Sequence, residues 1–544
     1  MTRLASLLIT LIAIIMAGFW MSQATSELAW YRNLDMNIHN IDDALSFNAG
    51  NSPRLVDQPG LPLKYLLSLD YRVRHFAGRL PVHDMNEFSA SSDLFPIIAH
   101  LVEVGRVHSQ ILVLLTILLA AGFVRLVSGS SLAAAATAGL LAGSEGLLFH
   151  GLMTRPELLC VTFGNVAALG FTWWGLQTPR SGYRTLALVL AGVFVGLSVL
   201  SKIPGMWYLG VCGLWCFLAP ALPSRQNQPK LFPPWPRGLA QIALPSLAAA
   251  AAALTLLALS RAGHPAGPVV HFRISLLAAT IAILPWIIVI KWPGQVLEFV
   301  RERGQYGLLV LAGAVLTVPA TYFAISLIMP PSVAAEYTNR VLHVVFNPGG
   351  LIDELATNPE PGVELYKFVS RDWFLFSTAI FISLATMFSQ EVPRSIKKLV
   401  GLLVLCAIGI TLMMSKRYFS LQYLIYCQLP LTLAITLGLH ALWRSIPTPA
   451  YRWERRGAAV AAWGLLIFVA LGAPGQLQKD HLEFQRKQNV PAYQHPLALI
   501  FLYHHDAHTD GYLKTMSDHF HSKENFTKEL EQFIHETGPK GIRH

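Results

Sequence analysis

The sequence predicts an all-α polytopic membrane protein with about thirteen transmembrane helices, and three observations predict it. Hydrophobic residues make up 53% of the 544 residues, charged residues only 13%, and mean hydropathy is +0.46. A soluble chain of this length has no need of so much apolar surface, so lipid is its solvent. Apolar runs of roughly 20 residues recur along the chain, each long enough to cross a ~30 Å hydrocarbon layer as a helix. Lys and Arg fall mainly in alternate short connections, the pattern that fixes the orientation of a multi-pass chain. The net charge of +10 is this orienting excess. No basic patch interleaved with aromatics accompanies it, so nucleic acid is not an expected partner. The cysteines Cys160, Cys212, Cys216, Cys406 and Cys427 all lie inside apolar runs, as packing residues and not as a disulfide or zinc framework.

In chain order the runs are 4–23, 107–126, 131–149, 158–176, 185–200, 205–222, 239–260, 273–290, 307–328, 373–389, 399–414, 419–442 and 457–474. The first follows Arg3 and also fits a secretory signal, with Ala24 as its small residue. At about 20 residues it is long for a signal core, so an uncleaved first helix is expected. The runs 185–200 and 205–222 are separate, because Ser201-Lys202-Ile203-Pro204-Gly205 holds a Pro-Gly break between them. With the N-terminus inside, the cytoplasmic side collects Arg3, Arg125, Arg180, Arg184, Arg225, Lys230, Arg237, Lys291, Arg301, Arg303, Arg394, Lys397, Lys398, Arg444, Arg452, Arg455 and Arg456. The short outer loops hold Arg155, Lys202, Arg261, Arg273, Lys416 and Arg417. Two outer loops are long, 24–106 and 329–372, and the same count puts the C-terminal tail outside. The organisation expected is a transmembrane unit over 1–474 and a small extracytoplasmic tail over 475–544.

The polar segments carry the chemistry. Between Asp35 and Phe47 the pattern is helical: Ile38, Ile41 and Leu45 share one face, and Asp35, His39 and Asp42 the opposite one. A solvated face on an interfacial helix has the same pattern as a catalytic one. Further along, "SSDLFPIIAHLVEVGR" sets Leu94, Ile97, Ile98, Leu101 and Val104 at helical spacing, which predicts an amphipathic helix lying on the membrane and capped by Ser92. "TRPE" is a very short outer loop, so Arg155 and Glu157 sit at the membrane rim. Glu145 falls within the third run, where a carboxylate is costly and needs a cavity or a partner. Lys202, Lys416 and Arg417 are rare cations against the charge bias, each at a helix end. Snorkelling to lipid head groups is the alternative account of such residues. The tail holds "HHDAH", His504 to His508, whose spacing matches no zinc signature.

The order of these segments resembles the GT-C glycosyltransferases, in particular the branch holding protein O-mannosyltransferases and the lipid A aminoarabinose transferase. In that branch an aspartate follows the first helix, a position Asp35 holds, and a Pro-rich element leads into a Tyr-Leu run, as "DQPGLPLKYLL" does here. "MTRPELLCVTFGNVAAL" is similar to its short outer loop and fourth helix, "GVFVGLSVLSKIPG" to its Leu-rich segment ending in Lys-Gly, and "SKRYFSLQYLIYCQLPLTLAI" to its late Arg-Tyr helix. The likeness runs over roughly 1–440. The chain departs from the branch in having Asp35-Met36 where Asp-Glu is usual and Gln58-Pro59-Gly60 where His/Lys-Pro-Pro is usual.

The resemblance implies a membrane glycosyltransferase that moves a sugar from a polyprenyl-phosphate donor to an acceptor protein, lipid A or other glycan, on the outer side of a bacterial inner membrane. It implies inversion, with Asp35 as general base; Asp42 and Asp43 are the alternatives and Glu157 a second acid. Lys202, which falls on the Lys-Gly element, would hold the leaving phosphate with Arg155, Lys416, Arg417 and Lys64. Tyr337, Arg340 and His343 in the second long loop would help choose the acceptor. No cofactor is implied, and a divalent cation on Asp35, His39 and Asp42 is set aside because the branch generally uses none. A transporter or flippase of a lipid-linked sugar is the alternative. Such proteins often bury charge at the bilayer midplane, whereas the runs here are mostly uncharged at their centres.

Overall fold

A computed structural model describes residues 3–26, 37–53, 60–91, 94–178, 180–219, 295–346, 361–415 and 421–445. The runs predicted at 239–260, 273–290 and 457–474, and the tail, lie outside the described residues. Among those described, every regular element is helical. Seven helices are long and apolar enough to cross a membrane, or up to nine if each of two bent pairs counts as one span. The exposed side chains agree: Phe19, Phe323, Phe381 and Phe388 all face outward, which is tolerable on helices solvated by lipid.

α1 (Arg3–Ser26) buries Ala13, Ala17 and Met21, a stripe at four-residue spacing that packs on later helices. α2 (Asn37–Asn48), α3 (Leu61–Phe76) and α4 (Met85–Ala90) build the first long loop. Gly60 starts α3 with φ 52°, a left-handed conformation that Gly adopts without strain. α5 (Leu94–Ser128) corrects one expectation. No surface helix over 94–104 precedes a separate span. The chain between holds no proline, only Gly105 and Arg106, and one 35-residue helix, about 52 Å long, runs through both segments. Its first turns bury Ile97, Ile98, Leu101 and Val104 in a cluster with Ile41, Leu45, Leu63 and Leu67 of α2 and α3.

The third predicted span is broken. α6 (Ser131–Ala142) and α7 (Glu145–Phe149, continued by a short turn to Leu152) meet at 61° across Gly143 and Ser144. α8 (Glu157–Val161) and α9 (Leu169–Gln177) form one span joined by a π-helical stretch, Thr162–Ala168. α10 (Ser181–Ser201) returns beside it, and α11 (Met206–Leu218) follows the Pro-Gly break. α12 (Gln295–Ser326) lies along α10. The approach is close because both helices present glycine. A Cβ on Gly192 would collide with the Val310 carbonyl, one on Gly196 with the Thr317 hydroxyl, and one on Gly313 with the Val189 carbonyl. Gly192 and Gly196 thus form a small-xxx-small stripe, which lets two backbones approach in lipid. Gly192→Ala is expected to cost about 1–3 kcal/mol through overpacking against backbone. The check is thermal unfolding in detergent, and an unchanged midpoint would contradict the packing.

α13 (Pro331–Phe346) and α14 (Pro361–Arg371) occupy the second long loop. α14 turns through 84° into α15 (Trp373–Phe388), and α16 (Arg394–Ser415) and α17 (Ile425–Ser445) complete the described chain. α17 is buried along most of its length, packed on α15 and α16. It forms the axis around which the polar end described next is assembled.

Candidate active site

Helix geometry brings the first two site residues together. α8–α9 and α10 span 21 residues each and are joined by a short turn. The first residue of one and the residue after the last of the other therefore share an end of the bundle. Those residues are Glu157 and Lys202, and Lys202 Nζ forms an ion pair with Glu157 Oε1. Arg155 binds the same carboxylate, Nη2 to Oε1 at 3.1 Å and Nε to Oε2 at 3.3 Å. All three side chains are buried. Arg155 also donates to the Gln422 side chain, whose backbone carbonyl lies 2.9 Å from His150 Nε2. Lys202 Nζ sits 5.3 Å from the ring centre of Tyr423, a cation–π contact.

The loop segments close over this end. Gly60 N–H donates to the Ser201 carbonyl at 3.0 Å, tying the Pro-rich element to the residue before Lys202. Asn40 Nδ2 donates to the Thr154 carbonyl at 2.8 Å, tying α2 to the residue before Arg155. α2 itself is helical as expected, with Ile41 and Leu45 buried. Its polar side is buried too: Asn40, Asp42, Asp43 and Ser46 all lie inside, so this is not a solvated face. Asp43 Oδ2 is 2.7 Å from Lys64 Nζ of α3, with both side chains fully enclosed.

The second loop joins from the other side. Tyr337 of α13 is buried edge-on against Phe47, ring centres 5.3 Å apart. Burial first, and the nearby Asp43 charge second, hold its phenol well above the ordinary range. Arg340 donates to the Ser52 hydroxyl and the Pro53 carbonyl, each at 3.4 Å. Asp35, Lys416 and Arg417 lie outside the described residues, as does the side chain of His343. Of the predicted residues described, Arg155, Glu157 and Lys202 form one cluster, Asp43 and Lys64 a second, and Tyr337 and Arg340 a flank beside α2.

Sequence reasoning missed several partners. Glu145 has the partner its cost demanded, Arg371 of α14, with Nη2 to Oε1 at 2.7 Å. The helix break makes this possible, because it places Glu145 at the start of α7 and not inside a span. Gln428 Oε1 accepts from the Ser144 hydroxyl at 2.6 Å and the Gly146 N–H at 2.9 Å, and its Nε2 donates to Asp372. Gln422 and Gln428 flank the Tyr-Leu-Ile-Tyr run of a predicted span, and an amide there was the available signal for a buried polar network.

Residues 95–262 match the protein family described as dolichyl-phosphate-mannose-protein mannosyltransferase. The matched segment covers just under a third of the chain and contains Arg155, Glu157 and Lys202. No curated protein matches the chain. Among solved structures, the Archaeoglobus fulgidus oligosaccharyltransferase AglB, in complex with an inhibitory peptide and a dolichol-phosphate, is 16% identical with a TM-score of 0.48. That alignment covers 93% of this chain and 59% of the archaeal one, so the chain spans less than two thirds of its length. ArnT from Cupriavidus metallidurans bound to undecaprenyl phosphate is 12% identical with a TM-score of 0.27, covering 82% of this chain and 79% of that one.

Proposed function

We propose that this chain is an integral-membrane glycosyltransferase. It takes a sugar from a polyprenyl-phosphate carrier and delivers it, with inversion, to an acceptor on the extracytoplasmic side of a bacterial inner membrane. The observation that carries the reading is the buried cluster in which two cations, Arg155 and Lys202, share one carboxylate, Glu157. A departing lipid phosphate needs its growing charge compensated in a dry site and needs no proton, and fixed cations supply that. Glu157 would hold the two cations in place, and Lys416 and Arg417 would extend the phosphate site. Lys64, already facing Asp43, would act on it from the first loop.

The acceptor proton goes to a base on the opposite face of the sugar, by analogy with inverting glycoside hydrolysis. Asp35 is the base in this reading, two residues before α2, with Asp42 and Asp43 on that helix as alternatives. Support comes from the tether of α2 to Thr154, which holds the start of the first loop against the Arg155–Glu157 turn. Tyr337, Arg340 and His343 on α13 would line the acceptor side.

The test uses purified protein and a radiolabelled polyprenyl-phosphate sugar. Wild type is expected to release or transfer the sugar. Asp35→Asn is expected to lose turnover by 100-fold or more, in the range of general base catalysis, while still binding donor. Movement of intact donor across a liposome bilayer without sugar release would point to a flippase and sink the transferase reading.

A further inference from the structure

The turn between α3 and α4 holds a side-chain cluster that the proposed transfer site does not use. α3 ends in a Schellman stop: Arg79 N–H donates to the Arg74 carbonyl at 2.8 Å and Gly78 N–H to the His75 carbonyl at 2.9 Å, with Gly78 at φ 68°. The stop leaves His75 on the last turn of α3, facing the start of α4. There Asp84 caps the helix by accepting from Glu87 N–H at 2.8 Å, and the Glu87 carboxylate reaches back to His83 N–H at 2.9 Å. Asn48 of α2 fixes the same stretch by donating to the His83 carbonyl at 2.7 Å.

The result is that His75, His83 and Glu87 present ligand atoms within 4.8 Å of one another. The two imidazoles stack with ring centres 4.4 Å apart. Both address one carboxylate: His75 Nε2 is 3.6 Å from Glu87 Oε1, and His83 Nδ1 is 2.7 Å from Glu87 Oε2. One far nitrogen has a hydrogen-bond acceptor of its own, and the other has a carboxylate nearby. His75 Nδ1 lies 3.0 Å from the Leu80 carbonyl, which can only accept, so Nδ1 carries the proton and Nε2 turns a lone pair toward Glu87. His83 Nε2 lies 3.9 Å from Asp84 Oδ2, so its proton has a carboxylate to face when Nδ1 is a donor of electrons.

We propose that His75, His83 and Glu87 bind a zinc-class divalent metal ion that staples the end of α3 to the start of α4. Two imidazoles and one carboxylate are a donor set that suits zinc, and a backbone carbonyl or carboxylate behind each ligating histidine is the usual orienting partner. Zinc bonds of about 2.0–2.1 Å at tetrahedral angles put ligand atoms about 3.4 Å apart. The separations here are 3.6 Å from His75 Nε2 to Glu87 Oε1 and 2.7 Å from His83 Nδ1 to Glu87 Oε2, and one ligand atom from each of the three residues lies within 4.8 Å of the others. Side-chain exposures of 34%, 25% and 37% leave the fourth position open to water. The site is structural and independent of the transfer chemistry.

The experiment is equilibrium dialysis of the purified, tag-free full chain against low-micromolar Zn2+, read by elemental analysis. His504, His505 and His508 offer a separate source of zinc binding, so the comparison is between variants of the same chain. His75→Ala/His83→Ala is expected to hold one equivalent less than wild type and to lose the zinc-dependent rise in unfolding temperature. Glu87→Gln keeps an oxygen for the His83 N–H and is expected to bind that equivalent at least 10-fold more weakly. Zinc content equal to wild type in the double variant overturns the proposal. Should the double variant fail to show a cooperative transition in chelator, Glu87→Gln decides, and wild-type zinc affinity there overturns it as well.

Discussion

Glu157→Ala is expected to be among the most damaging single changes in the chain. Its carboxylate is the shared counter-charge of Arg155 and Lys202, and all three are buried. Removing it takes a shared counter-charge from two desolvated cations, a change that typically costs about 3–5 kcal/mol. Turnover should fall to background as well, because the two cations would separate by repulsion and leave the position proposed for the phosphate. Two measurements separate the effects: unfolding temperature in detergent, and sugar release from donor by whatever protein remains folded. Lys202→Met should be milder in stability, since Arg155 still satisfies Glu157, yet equally severe in sugar release. If Lys202→Met releases sugar at the wild-type rate, the phosphate assignment is lost even where the stability prediction stands.

The Asp43–Lys64 pair is the second large effect. At 2.7 Å and fully enclosed, each residue is the other's neutralising partner. Asp43→Ala or Lys64→Ala alone should destabilise by about 3–5 kcal/mol, while Asp43→Leu with Lys64→Met together should recover most of the loss. Recovery of stability without recovery of transfer would assign the pair to chemistry. Recovery of both would make it architecture. A double variant no more stable than its singles would refute the pairing argument itself.

The fold was largely legible because lipid imposes a simple length rule on apolar runs. The runs at 185–200, 373–389 and 399–414 correspond to α10, α15 and α16 within a few residues. Where the reading missed, a local signal was overridden by packing. The amphipathic pattern at 94–104 is real, but its apolar face meets α2 and α3 and not lipid, so α5 continues through it. The 131–149 run has no charge before Glu145 to warn of a break, yet Gly143-Ser144 bends it. In the site, Arg155, Glu157 and Lys202 could be singled out because short outer loops and the charge bias make such residues conspicuous. Their partner Gln422 was not, and pairings such as Asp43 with Lys64 or Glu145 with Arg371 leave no trace in local sequence. The histidine cluster had a partial signal, His83 and Glu87 one helical turn apart, but His75 joins it only through the Schellman stop.

The widened coil at Thr162–Ala168 has a bearing on how such a protein can diversify. An α-helix advances about 100° per residue, and a more loosely wound stretch advances less, so it holds one extra residue while its two flanks keep nearly the same relative phase. Asn165, whose amide donates to the Tyr208 hydroxyl, and Gly164, against the Tyr208 ring, fix the loose stretch at mid-span. Deleting one residue there would restore regular winding with Glu157 still on the side of Lys202 and the half from Leu169 onward seated as before. The loosened turn is thus a point where the span can lose one residue without turning its ionisable end, a length change open to evolution or to a designer.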